Sequence, residues 1–190
     1  MKKLIVILFL LSAICSRAQN IAVVYPGYVS YYNPATLIPD SVISYVKVVN
    51  NPVDRYSGKF FATDGRPNLT KDYKGSKEDI GHNSSADDNK QNKKREKQSF
   101  DWVNTFPQKK NNNRIVWLGI ETYTRSLAAK YDSVRVKVSW FGISYKMGKD
   151  SVVVPACDVK ELWYHGNYEK FVVPNQDTVS LHHYTYYRVK

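Results

Sequence analysis

Between Gly81 and Gln98 the chain has no large aliphatic or aromatic residue, and Lys90, Lys93, Lys94, Arg95 and Lys97 crowd its second half. Taken alone, such a stretch reads as a disordered or solvated linker, because it has nothing to bury. The core must therefore come from the segments on either side, and these differ in period. Before it, Ile21 to Tyr25 and Ser41 to Val49 read as strands. In the second, Val42, Ser44, Val46 and Val48 alternate with Ile43, Tyr45, Lys47 and Val49. Pro34, Pro39, Pro52 and Pro67 keep this half in short pieces. After it, apolar content returns at Phe100, Trp102 and Val103. Asn113 to Lys130 then carries Val116, Ile120, Tyr123 and Leu127 at three- and four-residue steps, which predicts a helix. Further strands are predicted at Ser133 to Trp140, Ser151 to Val154, Val159 to Tyr164, Phe171 to Val173 and Tyr184 to Val189. Strands, polar passage, helix, strands: that order predicts an α+β domain.

The length of 190 residues fits one domain. Its first 18 residues read as a signal peptide, leaving residues 19–190 as the domain. Lys2 and Lys3 precede an apolar run from Leu4 to Ile14, too short to span a bilayer, and Ser16-Arg17-Ala18 offers a small-residue cleavage site. Ile14 is bulkier than the residue that precedes an acylated cysteine, which favours cleavage over a lipid anchor at Cys15. Export to the periplasm or the medium is the expectation. Cys157 then remains as the one thiol, read as a small packed residue in a fold without an internal disulfide. Of the formal charge of +11, the signal segment holds Lys2, Lys3 and Arg17, so the remainder carries +8. An excess of that size favours polyanions without saying which.

Several side chains carry chemistry. Hydrolysis of a phosphodiester needs a base for water, positive charge for the developing oxyanion and a proton for the leaving oxygen. His82, next to Gly81, is a candidate base. Asn113 and Glu121 offer an amide and a carboxylate oxygen to a hard divalent cation, and both lie on the predicted helix, eight residues apart. Arg125, four residues further on, can pair with a carboxylate or a phosphate. Singly, each has a plainer reading: a surface histidine, a helix cap at Asn111-Asn112-Asn113, an exposed ion pair. His165, His182 and His183 read as surface histidines, and Tyr184, Tyr186 and Tyr187 as a strand with alternating burial.

Jointly the pattern is more specific. Asp79-Ile80-Gly81-His82 is followed by Phe100, Asn104, Pro107-Gln108, Asn113, Trp117, Glu121 and Arg125. These positions resemble the DNA/RNA non-specific endonuclease family, whose loop reads Asp-Arg-Gly-His and whose later residues fall at the same spacings. The likeness runs over roughly residues 28 to 175. It implies a central antiparallel sheet with a ββα-metal site and one long metal-bearing helix. It also implies His82 as general base, Asn113 and Glu121 at a Mg²⁺ ion (Mn²⁺ as a substitute), and Arg125 and Asp79 in the catalytic set, with Asn104 and Gln108 in support. The implied activity is cleavage of DNA and RNA to 5′-phosphate and 3′-hydroxyl ends with little sequence preference. Contacts confined to phosphate and sugar carry no direct base information. Lys93, Lys94, Arg95, Lys109 and Lys110 are the expected nucleic-acid contacts. An inhibitor protein is a conceivable further partner.

Two departures stand out. Ile80 occupies the place of the family's arginine, and Asn83-Ser84-Ser85 replaces an apolar residue, a small residue and proline. Loss of one charged transition-state contact costs on the order of 3 kcal/mol, about two decades in rate. The expectation is a slowed enzyme, with Arg125 or Lys77 compensating. The alternative is a nucleic-acid-binding pseudo-nuclease without turnover.

Overall fold

The computed structural model describes residues 19–189; the predicted signal segment lies outside the described residues. In chain order the strands are β1 (Ile21–Tyr25), β2 (Tyr28–Asn33), β3 (Ile38–Val46), β4 (Glu78–His82), β5 (Thr105–Lys109), β6 (Val134–Met147), β7 (Val152–Tyr164), β8 (Asn167–Pro174) and β9 (Arg188–Val189). Seven of them form one antiparallel sheet in the order β1-β2-β3-β6-β7-β8-β9, while β4 and β5 pair separately. Sheet neighbours are chain neighbours except at β3–β6. There residues 47–133 leave the sheet and return, and this excursion carries the hairpin β4–β5 and the helices. The architecture is the α+β class expected from the order of segments.

Alternation explains how the sheet is seated. Val42, Ser44 and Val46 of β3 and Val134, Val136 and Val138 of β6 point inward and are buried, whereas Ile43 and Tyr45 point away. The strand expected at Ser41 to Val49 starts three residues earlier and stops at Val46, since Val48 beyond it is exposed. The two strands expected at Ser151 to Val154 and Val159 to Tyr164 are one strand, β7. Pro155 does not break it because it faces Ile143, where the β6–β7 register is irregular. A missing N–H is tolerated at such a point. The strand expected at Tyr184 to Val189 is instead a 3₁₀ turn, Tyr184–Tyr187, ahead of the two-residue β9. Of those tyrosines only Tyr187 is buried, its hydroxyl donating to the Val179 carbonyl at 2.7 Å.

Helical backbone runs unbroken from Lys110 to Tyr131. Its N-terminal part, Asn112–Trp117, is π-helical, and the regular α-helix occupies Leu118–Tyr131. Val116, Ile120 and Leu127 bury the predicted face in one cluster with Val136, Leu162 and Phe171 of the sheet. Fully burying one such side chain contributes about 1.5–3 kcal/mol.

The polar passage is not a linker. It holds a short helix, Lys93–Gln98, capped by the Asn92 side chain, and it packs through hydrogen bonds rather than apolar contact. The Asn89 amide donates to Ser84 Oγ at 2.9 Å and to the Ser85 carbonyl at 2.8 Å, and Glu96 Oε2 accepts from the Tyr56 N–H at 2.9 Å. Asn89 and Glu96 are each 1 % exposed. Hydrophobicity missed this segment because polar groups with partners can be buried too.

Candidate active site

The hairpin β4–β5 sets the site. Gly81 pairs with Phe106, and a Cβ at Gly81 would run into the side chain of Gln108, which is buried and donates to Asp158 Oδ2 at 2.8 Å. Glycine is thus required by close approach, and Gln108 braces the loop from beneath. Asn104 pins the residues just past His82. Its Oδ1 accepts from the Ser84 N–H at 2.8 Å, and its Nδ2 donates to the carbonyls of Ser84 and Ser99 at 2.8 and 2.9 Å. Both support residues expected from the sequence therefore act on the loop's backbone.

His82 ends β4 on the wall of a cavity of about 580 Å³. Its ring lies 5.3 Å from that of Phe60 and 5.0 Å from that of Phe100. Its Nε2 is shielded from solvent with no hydrogen-bond partner among the described residues. Burial in this aromatic collar, with the Arg55 charge second and Asp87 opposing, pushes the imidazole down to about 3. His82 is thus neutral, with a lone pair to offer, across the physiological range.

Asp79, Asn113 and Glu121 line the same cavity. Asp79 accepts from Arg114 Nε and Nη2 at 2.6 and 2.8 Å and from Asn113 Nδ2 at 3.1 Å. Burial raises its pKa, but these hydrogen bonds and the charges of Arg114 and Lys110 outweigh that, and the carboxyl stays below its ordinary range. The bond to Nδ2 fixes the Asn113 amide and leaves Oδ1 free. The π-turn matters here. In a regular α-helix residues eight apart stand about 80° out of line. A π-bulge takes up one additional residue, so Asn113 and Glu121 relate roughly as i and i+7 and share a face.

Behind Glu121 lies a buried group of charges. Lys160 Nζ is 3.9 Å from Glu121 Oε1 and 4.3 Å from the centroid of the Trp117 ring. Asp88 sits beside them, its carboxyl pushed up to about 7 by burial and by Glu121, against the pull of Arg125 and Lys160. Arg125 Nη1 reaches Asp88 Oδ1 at 3.4 Å and is not among the residues lining the cavity. In this arrangement Arg125 turns to Asp88 rather than to the cavity, where its expected contact with phosphate would lie. The cation on the cavity wall is Arg55, whose guanidinium lies 5.3 Å from the centroid of Phe100, the ring that also borders His82. Ile80 lines the cavity too, half-buried and packed on the core.

Arg55 and Asp88 escaped the sequence reading. Arg55 comes from an irregular segment with no spacing to the motif, while Asp88 carried a signal, an acidic residue six positions after His82. The basic residues divide. Lys93, Lys94 and Lys110 are exposed, Arg95 is half-buried beside Gly27 and Asn89, and Lys109 is spent on Glu78 and Tyr145. Lys109 and Arg95 are thereby less available to a polyanion than expected. Cys157 is half-buried, its thiol raised by burial and by Asp158. His165, His182 and His183 are exposed, the first stacked on Tyr131 and the second on Tyr186.

A hairpin that presents a histidine to a helix bearing an amide and a carboxylate defines the ββα class of nucleases. The family model for DNA/RNA non-specific endonuclease matches residues 15–190, and the chain belongs to that family. Among solved structures it is similar to the crystal structure of the EndoG/EndoGI complex, which concerns the mechanism of EndoG inhibition. The identity is 22 %, the TM-score 0.81, and the match covers 92 % of this chain and 82 % of that one. A search of the curated proteins finds no match.

Proposed function

We propose that the protein is an exported, metal-dependent endonuclease that hydrolyses phosphodiester bonds of DNA and RNA with little sequence preference. The observation that carries this reading is the cavity itself. It is lined by the neutral His82 imidazole and the Arg55 guanidinium from one part of the chain, and by Asn113 and Glu121 from the long helix.

In this scheme His82 takes the proton of the attacking water as its oxygen bonds to phosphorus. The bond from phosphorus to the 3′ oxygen breaks, and that oxygen takes a proton and leaves as a hydroxyl. Arg55 offers charge to the phosphate oxygens as they gain electron density. Asp79 holds the Asn113 amide so that Oδ1 faces the cavity, and Lys160 holds the Glu121 carboxylate. The donor set, one amide and one carboxylate oxygen on the cavity wall, would suit a hard cation. Bound there, Mg²⁺ supplies Lewis acidity and an acidic water. Lys93, Lys94 and Lys110 extend a positive surface beyond the cavity. An inhibitor protein is proposed as a further partner, since EndoG was solved in complex with EndoGI.

The competing reading, a binding module without turnover, rests on Ile80. Arg55 at the same cavity supplies the charge that Ile80 lacks, which favours the enzyme. The deciding experiment incubates the mature protein with supercoiled plasmid and with RNA, in Mg²⁺ or EDTA, beside His82→Ala. Cutting that needs Mg²⁺ and His82 is the expected result. Plasmid retarded on a gel but never nicked would establish the binding module instead.

A further inference from the structure

Among the described residues, only one face of the large sheet is covered. The long helix and the Trp102–Asn104 turn pack on the face that carries Ser30, Ser44, Val136 and Leu162. Residues directly opposite one another in a ladder share a face, so the register lays out the other face row by row. One row reads Tyr45, Arg135, Trp163, Tyr168 across β3, β6, β7 and β8. The row beside it reads Ile43, Lys137, Glu161, Lys170. Tyr45 is 57 % and Tyr168 51 % exposed.

Composition and spacing point to one kind of occupant. The Arg135 guanidinium lies 4.4 Å from the centroid of Trp163, and Trp163 lies 5.2 Å from Tyr168 at 45° to it, so π groups adjoin one another across the strands. Strands are about 4.8 Å apart, so the row spans about 14 Å. A sheet of similar width stacks two or three unpaired bases in known RNA-binding folds. Arg135, Lys137 and Lys170 face a single carboxylate, Glu161, which is taken up by Lys137 at 3.7 Å and by the Tyr168 hydroxyl at 2.7 Å. A second copy docked face to face would set these cations against their own images, whereas a polyanion neutralises them. Bases in a duplex are stacked on one another already and give the rings nothing to hold.

We propose that this uncovered face is a second nucleic-acid-binding surface, selective for single-stranded DNA or RNA, on the side of the sheet away from the catalytic cavity. It grips a polymeric substrate through stacking at Tyr45 and Tyr168 and through phosphate contacts at Lys137 and Lys170. A chain held there stays near the enzyme between cuts. Short substrates that fill only the cavity gain nothing from it.

The test uses the mature protein carrying His82→Ala, which keeps the probes intact. Fluorescein-labelled dT20, rU20 and a 20-base-pair duplex are titrated with it by anisotropy. Tyr45→Ser with Tyr168→Ser should weaken binding of both single strands by about tenfold or more and leave the duplex nearly unchanged. Lys137→Gln with Lys170→Gln should weaken all three probes and flatten the dependence on salt. Both tyrosines are exposed, so far-UV dichroism should show the fold retained. Tyr45→Ser alone, expected to give a smaller loss of the same kind, serves if the double variant does not fold. Unchanged single-strand affinity in a folded tyrosine variant overturns the proposal. So does a dimer that becomes monomeric in the variant while oligonucleotide affinity stays put, since the face would then be a self-contact. None of these readouts depends on turnover, so a failure of the nuclease reading would show separately, in the plasmid assay.

Discussion

A phosphodiester site with isoleucine where a guanidinium would stand needs its positive charge from elsewhere, and two arginines come within reach. Arg125 is engaged by Asp88, whereas Arg55 stands on the cavity wall over Phe100, next to His82. The two should therefore separate in a kinetic experiment. Arg55→Ala is expected to lower kcat by about 10²–10³, the usual effect of removing one transition-state donor. Arg125→Ala should lower it less than about tenfold. Steady-state cleavage of a labelled oligonucleotide in Mg²⁺ measures both, and equal losses would mean that Arg125 swings into the cavity when substrate binds. A second readout belongs to the same variant. Burial is the first cause of the depressed His82 pKa and the Arg55 charge the second, so Arg55→Ala should raise it, visible by NMR as a His82 titration midpoint moved to higher pH, toward 6.5. Of these residues, His82, Asn113 and Glu121 were legible because they sit at fixed spacings within a motif. Arg55 was not, because tertiary structure alone brings it there.

At the scale of elements, the sequence marked the long helix by its apolar face and β3 by alternation, and it read strands at β1, β6, β7 and β8 but not at β2. It did not mark the π-turn, for no local preference announces an i→i+5 bond. Nor did it mark β4 and β5, where Glu78–His82 and Thr105–Lys109 show no alternation and are ordered by side-chain hydrogen bonds. Asp158 is central to that ordering. It is wholly buried on β7 and accepts from Gln108 on β5 at 2.8 Å and from Asn112 at the start of the π-turn at 2.7 Å. Burial pushes its carboxyl up to about 7, against those two hydrogen bonds and with Glu78 adding to the rise. An unfolded aspartate titrates near 3.9. Between roughly pH 4 and 7 the folded protein therefore holds a proton that the unfolded chain has released. That contribution is complete below about pH 4 and is lost as pH rises through 7, up to about 4 kcal/mol over the window. Asp158→Asn removes the titration. Urea unfolding at pH 5 and pH 8 should show a stability that changes less with pH in the variant than in the parent; a parallel offset at both pH values would contradict the assignment. Because Asn112 adjoins Asn113, the same link keeps the turn that carries the proposed metal ligand in place.

Across the whole molecule, the excursion of residues 47–133 could be an appendage on the sheet or part of its core. The apolar contacts decide for the second. Trp102, Phe106, Trp117 and Ile120 from the excursion share one cluster with Ile38, Val136, Leu162 and Phe171 from the sheet. A sheet stripped of that cover would expose both faces, and a hairpin and helix without the sheet would keep no interior. The candidate site and the sheet should therefore lose structure together, as one cooperative unit. The four tryptophans report on the two halves: Trp102 and Trp117 belong to the excursion, Trp140 and Trp163 to the sheet. Unfolding followed by tryptophan fluorescence, by far-UV dichroism and by Mg²⁺-dependent cleavage should give one coincident midpoint in urea. Ile120→Ala, a wholly buried side chain on the helix, should cost about 2–5 kcal/mol and move all three midpoints equally. Single-tryptophan versions retaining Trp117 or Trp163 sharpen the comparison. If Trp117 released its signal at lower urea than Trp163, the excursion would be a separately folding unit, and the metal site would owe its geometry to the hairpin and helix alone.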